Sequence, residues 1–212
     1  MRATDGQVLD AIAAVVDSQP ILRSEVEDAA WYAGLSAHLA GAGGAPVAPG
    51  GLSAEEKQTA LNHLVDEQLL TESQADEGFG PPAAARLHAE TQAQWEHVAE
   101  LAGGEPALLA LLPAFHLDRP TVTALIERQL ALTAYLDQHF SGLPEAGAAA
   151  IQSYYDTVFV PAAKSRNLTP APLGQVRATI AAILRQQQRA AAEQQWLTQL
   201  RAAAQVERRS PW

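Results

Sequence analysis

The sequence predicts a mainly α protein, a multi-helix body with a small N-terminal β-hairpin and a candidate closing strand at its C-terminus. Three observations carry this expectation. Apolar residues recur at helical spacing through most of the chain, capping-box pairs stand at the head of the first two helical stretches, and a β-branched apolar run bounded by turn residues lies near the N-terminus.

The elements follow in order. Residues 9–16 (LDAIAAVV) read as a strand, 17–20 (DSQP) as turn chemistry, and Ile21 and Leu22 as the return strand, so the hairpin is expected over 9–22. Ser24 with Glu27 reads as a capping box that starts a helix carrying Val26, Ala30, Ala33 and Ala37 on one face. The glycine- and proline-rich stretch 41–51 (GAGGAPVAPGG) ends it as a loop. Ser53 with Glu56 is a second capping box, and Leu61, Leu64, Val65 and Leu69 form the buried stripe of a helix expected to reach about Ala75.

The segment 78–82 (GFGPP) breaks the chain, and its two prolines are expected to open a third helix through Trp95 and Leu101. Gly103 and Gly104 stop that helix, and a short apolar helix follows over 106–115. Asp118 before Arg119 and Pro120 is an N-cap pattern, and Val122, Leu125, Ile126, Gln129, Leu130, Leu136 and Phe140 continue as an amphipathic helix closed at 142–144. Another helix is expected over about 145–160, carrying Ile151, Tyr154, Tyr155 and Val158, and then 165–172 (SRNLTPAP) as a linker. The longest helix should span about 173–204, with Val176, Ile180, Ile183, Leu184, Leu197 and Leu200 on one side. At about 1.5 Å per residue it is a rod of nearly 50 Å, long enough to lie across several elements. Residues 205–208 (QVER) form a candidate strand that adds to the hairpin, because two strands alone are marginal. The domain reading is an N-terminal body over 1–170 and a C-terminal helix and strand over 171–212 that docks back on the N-terminal segment, one composite domain overall.

Composition excludes several classes. With 212 residues the chain can bury a core without staples, and with no cysteine it has neither disulfides nor thiolate metal sites. A formal charge of −10 argues against a nucleic-acid partner, since a phosphate backbone would be repelled. From Lys164 to the end, eight basic residues face two acidic ones, whereas the preceding residues hold 6 basic and 22 acidic. This asymmetry suggests a basic tail docking on an acidic body; the alternative is a solvated basic helix face. There is no apolar run of the length that spans a membrane, and residues 1–7 lack the basic start and apolar stretch of a signal peptide.

No established motif of catalysis or metal binding stands in the sequence. Six histidines (His38, His63, His88, His97, His116, His139) form no HExxH pattern and no pair at i,i+4, so no metal is expected; His63 with Glu67 reads as ordinary helix surface. There is no GxSxG nucleophile turn and no GxxxxGK[ST] phosphate loop, and no catalytic residue or cofactor is expected. The carboxylate pairs Glu55–Glu56 and Asp76–Glu77 sit at helix ends in polar surroundings. Trp31, Tyr32, Trp95, Phe115, Tyr154 and Tyr155 are the candidate aromatics of an apolar cleft, with core packing as the competing reading for each.

Both ends carry a resemblance. In residues 11–29 (AIAAVVDSQPILRSEVEDA), Ala14, Val15, Val16 and Asp17, then Ile21, Leu22, Ser24, Glu25 and Val26, resemble the "A-V-V-N" strand and "I-L-x-S-D-V" start of SurA and PpiC-type periplasmic chaperones. Residues 60–75 (ALNHLVDEQLLTESQA) are similar to that family's next helix, with Val65 for isoleucine and Ala75 one position late. Trp196, Leu197, Leu200, Arg201, Ala204 and Val206 resemble its terminal "L-x-x-L-R-x-x-A-x-V" helix preceded by tryptophan. Together the two ends cover a little under half of the chain. The middle fits only as helices of plausible length, and only the linker stands where a parvulin domain is normally inserted. The resemblance therefore implies a SurA-like chaperone core without prolyl isomerase activity, in which the first hairpin and the last helix come together. It implies an ATP-independent holdase for unfolded or extended polypeptide clients, acting in outer-membrane or secreted protein biogenesis. Its compartment would be the periplasm, with a leader removed and the cytoplasm as the alternative. The expected state is a monomer or a homodimer that swaps the long helix, with no membrane insertion. The rival readings are an assembly partner using the same scaffold to bind one specific protein, and an enzyme whose site leaves no motif.

Overall fold

A computed structural model describes residues 10–41, 51–80, 82–209 and 212. The start of the chain at 1–9, including Leu9 of the expected hairpin, the centre of the expected loop at 42–50, and Pro81 lie outside the described residues. The chain is mainly helical with one small antiparallel sheet, as its periodicity predicts.

Strand β1 (Ile12–Val16) turns through Asp17, whose φ of 52° lies in the left-handed region, into β2 (Gln19–Leu22). Pro20 therefore stands in a strand, opposite Val15, and not in the turn. It is tolerated because the strand order is β2-β1-β3, which leaves β2 at the edge. The alternation of β1 slips between Ile12 and Ala14, and both Ala13 and Ala14 are buried in consequence. Strand β3 (Val206–Arg208) closes the other edge of β1, with Val206 opposite Val16 and Arg208 opposite Ala14.

Helix α1 (Arg23–Leu39) begins at a different cap from the one expected. Leu22 is the N-cap residue, and its backbone N–H donates to Glu25 Oε2 at 2.7 Å. Ser24, already inside the helix, donates its hydroxyl to Asp10, and Glu27 accepts from Lys57 Nζ at 2.9 Å. The buried side of α1 also departs from the expected stripe: Val26, Ala30 and Leu35 are buried, while Ala33 and Ala37 are exposed. The reason is that α1 serves two apolar clusters, Val26 and Ala30 belonging to one and Leu35 to the other.

Helix α2 (Ala54–Asp76) starts at the expected box. Glu56 N–H donates to Ser53 Oγ at 3.2 Å, and Glu56 Oε2 accepts from Ser53 N–H at 2.8 Å and from its hydroxyl at 2.7 Å. The Ser53 hydroxyl, then its backbone N–H, hold the Glu56 carboxyl below its ordinary 4.5. A depressed carboxyl stabilises the fold fully above 4.5 and loses that contribution as pH falls through the lower folded value. Ser53→Ala is expected to cost about 1 kcal/mol at neutral pH and less in acid, read by urea denaturation at both.

Leu61, Leu64, Val65 and Leu69 of α2 are all buried, together with Ala13, Ala14, Val16, Ile21, Val26 and Ala30. Leu200, Ala204, Val206 and Trp212 pack against this first cluster. Helix α3 (Ala84–Leu101) opens two residues after Pro82, and Gly103 and Gly104 stop it at φ values of 90° and 116°. Helix α4 (Glu105–Leu111) runs into a 3-10 turn, Leu112–Phe115. Helix α5 (Arg119–His139) is capped by Asp118, whose Oδ1 accepts from Thr121 N–H at 2.9 Å. Its buried residues are Val122, Ile126, Leu132 and Tyr135, so Leu125, Leu130 and Leu136 are only half-buried and Gln129 faces out. Trp95, Val98, Leu108, Leu112, Phe115 and Ile126 make the body of the second cluster, to which Leu35 also belongs.

After a 3-10 turn at Phe140–Gly142, α6 (Ala148–Tyr154) widens into a π turn at Tyr155–Phe159 and continues as α7 (Val160–Ser165). The sequence pattern predicts an end at about residue 160; instead the helix passes through Pro161. Val160 N–H donates five residues back to Tyr155 O, and the wider turn fits a residue that has no N–H and whose ring crowds the preceding turn. Helix α8 (Leu173–Ala203) has the expected span. Among the described residues no single helix is long and apolar enough to cross a membrane.

The chain divides into two compact units, unit 1 comprising Met1–Asp137 and Leu200–Trp212, and unit 2 comprising Gln138–Gln199. Within unit 1 the C-terminal segment is tied to the hairpin and to α2. Asp17 N–H donates to Gln205 O at 2.8 Å, Arg209 N–H to Ala13 O at 3.0 Å, and the Arg201 guanidinium grips both oxygens of Asp66 at 2.6 and 2.5 Å. Within unit 2, Trp196 stacks on His139 at 4.1 Å between ring centres, with Phe140 edge-on at 5.6 Å.

Candidate functional site

The six aromatics picked from sequence are divided between the units, Trp31, Tyr32, Trp95 and Phe115 in unit 1 and Tyr154 and Tyr155 in unit 2. Trp95 and Phe115 are core residues, 2% and 4% exposed, which removes them as groove residues. Trp95 donates its indole N–H to Glu105 Oε1 at 3.1 Å, and Arg119, bound to the same Glu105 at 2.7 Å, lies over the Trp95 ring. Trp31 and Tyr32 pack half-buried against the same cluster, and burial pushes the Tyr32 phenol above its ordinary range. Tyr154 and Tyr155 belong to unit 2 and are half-buried. Tyr155 serves the local structure, since its hydroxyl donates to Ala171 O at 3.0 Å and its ring stacks on Phe159.

Trp31 lines a recess of about 360 Å³ in unit 1 with Ser24, Glu27, Asp28, Lys57 and His116. This recess is polar. The Lys57–Glu27 ion pair belongs to it, and burial, then the negative charge of Asp118, Glu27, Glu25 and Asp10, raise the Asp28 carboxyl above its ordinary 3.8. Among the described residues no three histidines or carboxylates are arranged to hold a metal ion. Glu67 is ion-paired to Arg128 at 2.9 Å, with His63 at 3.8 Å.

The larger opening lies in unit 2. Residues 174, 177, 178, 181, 182 and 185 of α8 share one helix face at the 3-and-4 spacing. Together with Glu145, Ala146 and Ile151 they line a groove of about 620 Å³. Its volume is within the range of ligand pockets, and small side chains keep it open: Gly174, Ala178, Ala181 and Ala182 have nothing longer than a methyl group to fill it. Arg177 and Arg185 stand eight residues apart along the same face, both exposed.

Unit 2 buries little else. Ile151 and Ile180 are its only buried residues among the described residues, and Val158 and Leu168 are 46% and 60% exposed. Val176, Ile183, Leu184 and Leu197, read from sequence as the apolar side of α8, are half-buried. A search for aromatic residues misses this groove, because its lining is small and aliphatic; the legible signal is the alternation of alanine pairs and arginines along the other face of α8. No family model and no curated protein matches this chain.

Proposed function

We propose that the chain is an ATP-independent holdase-type chaperone that shelters unfolded or extended segments of envelope or secreted proteins in the periplasm, without prolyl isomerase activity. The observation that carries this reading is unit 2, a helical unit with two buried side chains, exposed Val158 and Leu168, and an open alanine-lined groove. Apolar surface left out of a core is available to a client. Methyl groups impose no directional demand, so such a surface tolerates many sequences. Release follows mass action, since a holdase that prefers the unfolded chain only shifts its equilibrium. The pairing of β3 with β1 supports the reading too, because the SurA resemblance implies that the first hairpin and the last helix meet.

Full-length protein at near-stoichiometric ratio is expected to suppress aggregation of a chemically denatured client without nucleotide. Ala182→Trp, at an exposed position that fills the groove, should weaken suppression while changing stability by less than about 0.5 kcal/mol. A folded protein that suppresses nothing would remove the proposal. Saturable binding to a single partner, with no effect on generic clients, would favour a dedicated assembly role.

A further inference from the structure

We infer that the groove of unit 2 selects acidic polypeptide segments, the occupant being an extended stretch of small apolar residues with two carboxylates about four positions apart. The inference rests on the holdase reading and names its client chemistry. Among the described residues, neither Arg177 nor Arg185 has an ion-pair or hydrogen-bond partner, so both guanidinium groups are available to a ligand. The lining sets these two cations against one carboxylate, Glu145.

Charge across the units sharpens this preference. Unit 2 holds five basic residues and three acidic ones, which leaves nine basic and twenty-one acidic residues to unit 1. An acidic segment is therefore attracted by the one and repelled by the other. Spacing sets the pattern of the occupant. Eight residues of α8 separate the arginines by about 12 Å along the axis. An extended chain covers nearly that distance in about four residues, and positions i and i+4 of a strand point to the same face. Each carboxylate then meets one guanidinium while the small side chains between them lie over Ala178, Ala181 and Ala182.

The test is fluorescence anisotropy of the full chain with a labelled peptide of alanine and valine, carrying two glutamates four positions apart and a proline that prevents helix formation. Binding is expected, and added salt should weaken it. The double variant Arg177→Glu/Arg185→Glu should lose at least about fivefold in affinity, and Arg177→Lys/Arg185→Lys should keep most of it. Thermal melts confirm that both variants fold. Equal binding of a peptide with lysines for glutamates, an unchanged affinity in the charge-reversed variant, or no binding to the full chain overturns the inference. The aggregation assay separates the two levels. Client suppression without acidic-peptide binding removes the acidic occupant and leaves the holdase, whereas charge-dependent peptide binding without suppression keeps the groove assignment and removes the holdase.

Discussion

Ending the chain at Gln199 is expected to lower the melting temperature of unit 1 by about 10 °C or more, although the thirteen residues removed include no member of either buried cluster. The loss arises at β1. Without residues 200–212 that strand has β2 alone as a neighbour, and a two-stranded hairpin is marginal in water. The bonds from Asp17 N–H to Gln205 O, from Gln205 N–H to Asp17 Oδ1 and from Arg209 N–H to Ala13 O disappear, at a net cost of about 1 kcal/mol each. Leu200, Ala204, Val206 and Trp212, partly buried against the first cluster, are lost as well, and their burial brings the total to about 4 kcal/mol or more. Far-ultraviolet circular dichroism of the full and shortened chains measures the difference. Arg201→Ala in the full chain is the control, because its exposed pair with Asp66 contributes about 1 kcal/mol at most. An unchanged melt on truncation would mean that β3 adds nothing to the sheet.

Trp95→Ala is expected to cost about 3–5 kcal/mol, the range for deleting a large buried aromatic. The ring is 2% exposed among Val98, Leu108, Leu112, Phe115 and Ile126, so its removal leaves a cavity that the surrounding helices fill only in part. It also leaves Glu105 without the indole N–H and Arg119 without the ring beneath it. Trp95→Phe keeps most of the buried volume and should cost less than half as much. Urea unfolding followed by circular dichroism reads both variants. The result bears on function as well: a groove residue would change client binding and leave stability alone, whereas a core residue does the reverse. A Trp95→Ala variant of native stability with weakened client binding would restore Trp95 to a binding surface and remove it from the core.

Elements set by near neighbours were legible without coordinates. Ser53 with Glu56 marks the start of α2, Asp118 with Pro120 that of α5, and the uninterrupted run from Leu173 the length of α8. Each signal is complete within a few residues, since a cap or a helical turn satisfies its own backbone locally. The closing strand 205–208 was legible for a related reason: a lone hairpin at the far end needs a third strand.

For α1 only the tertiary structure decided which side is buried, whereas the stripe of α2 is buried as its spacing predicts. Ala33 and Ala37 continue the stripe of Val26 and Ala30 on paper, but α1 leaves one cluster and enters another, and Leu35 is the residue that meets the second. Trp95 and Phe115 became core and Ala178, Ala181 and Ala182 became the floor of a groove for the same reason. Periodicity specifies the angle between side chains around a helix axis; burial depends on what is brought against that helix from distant positions in the chain, which no local pattern contains.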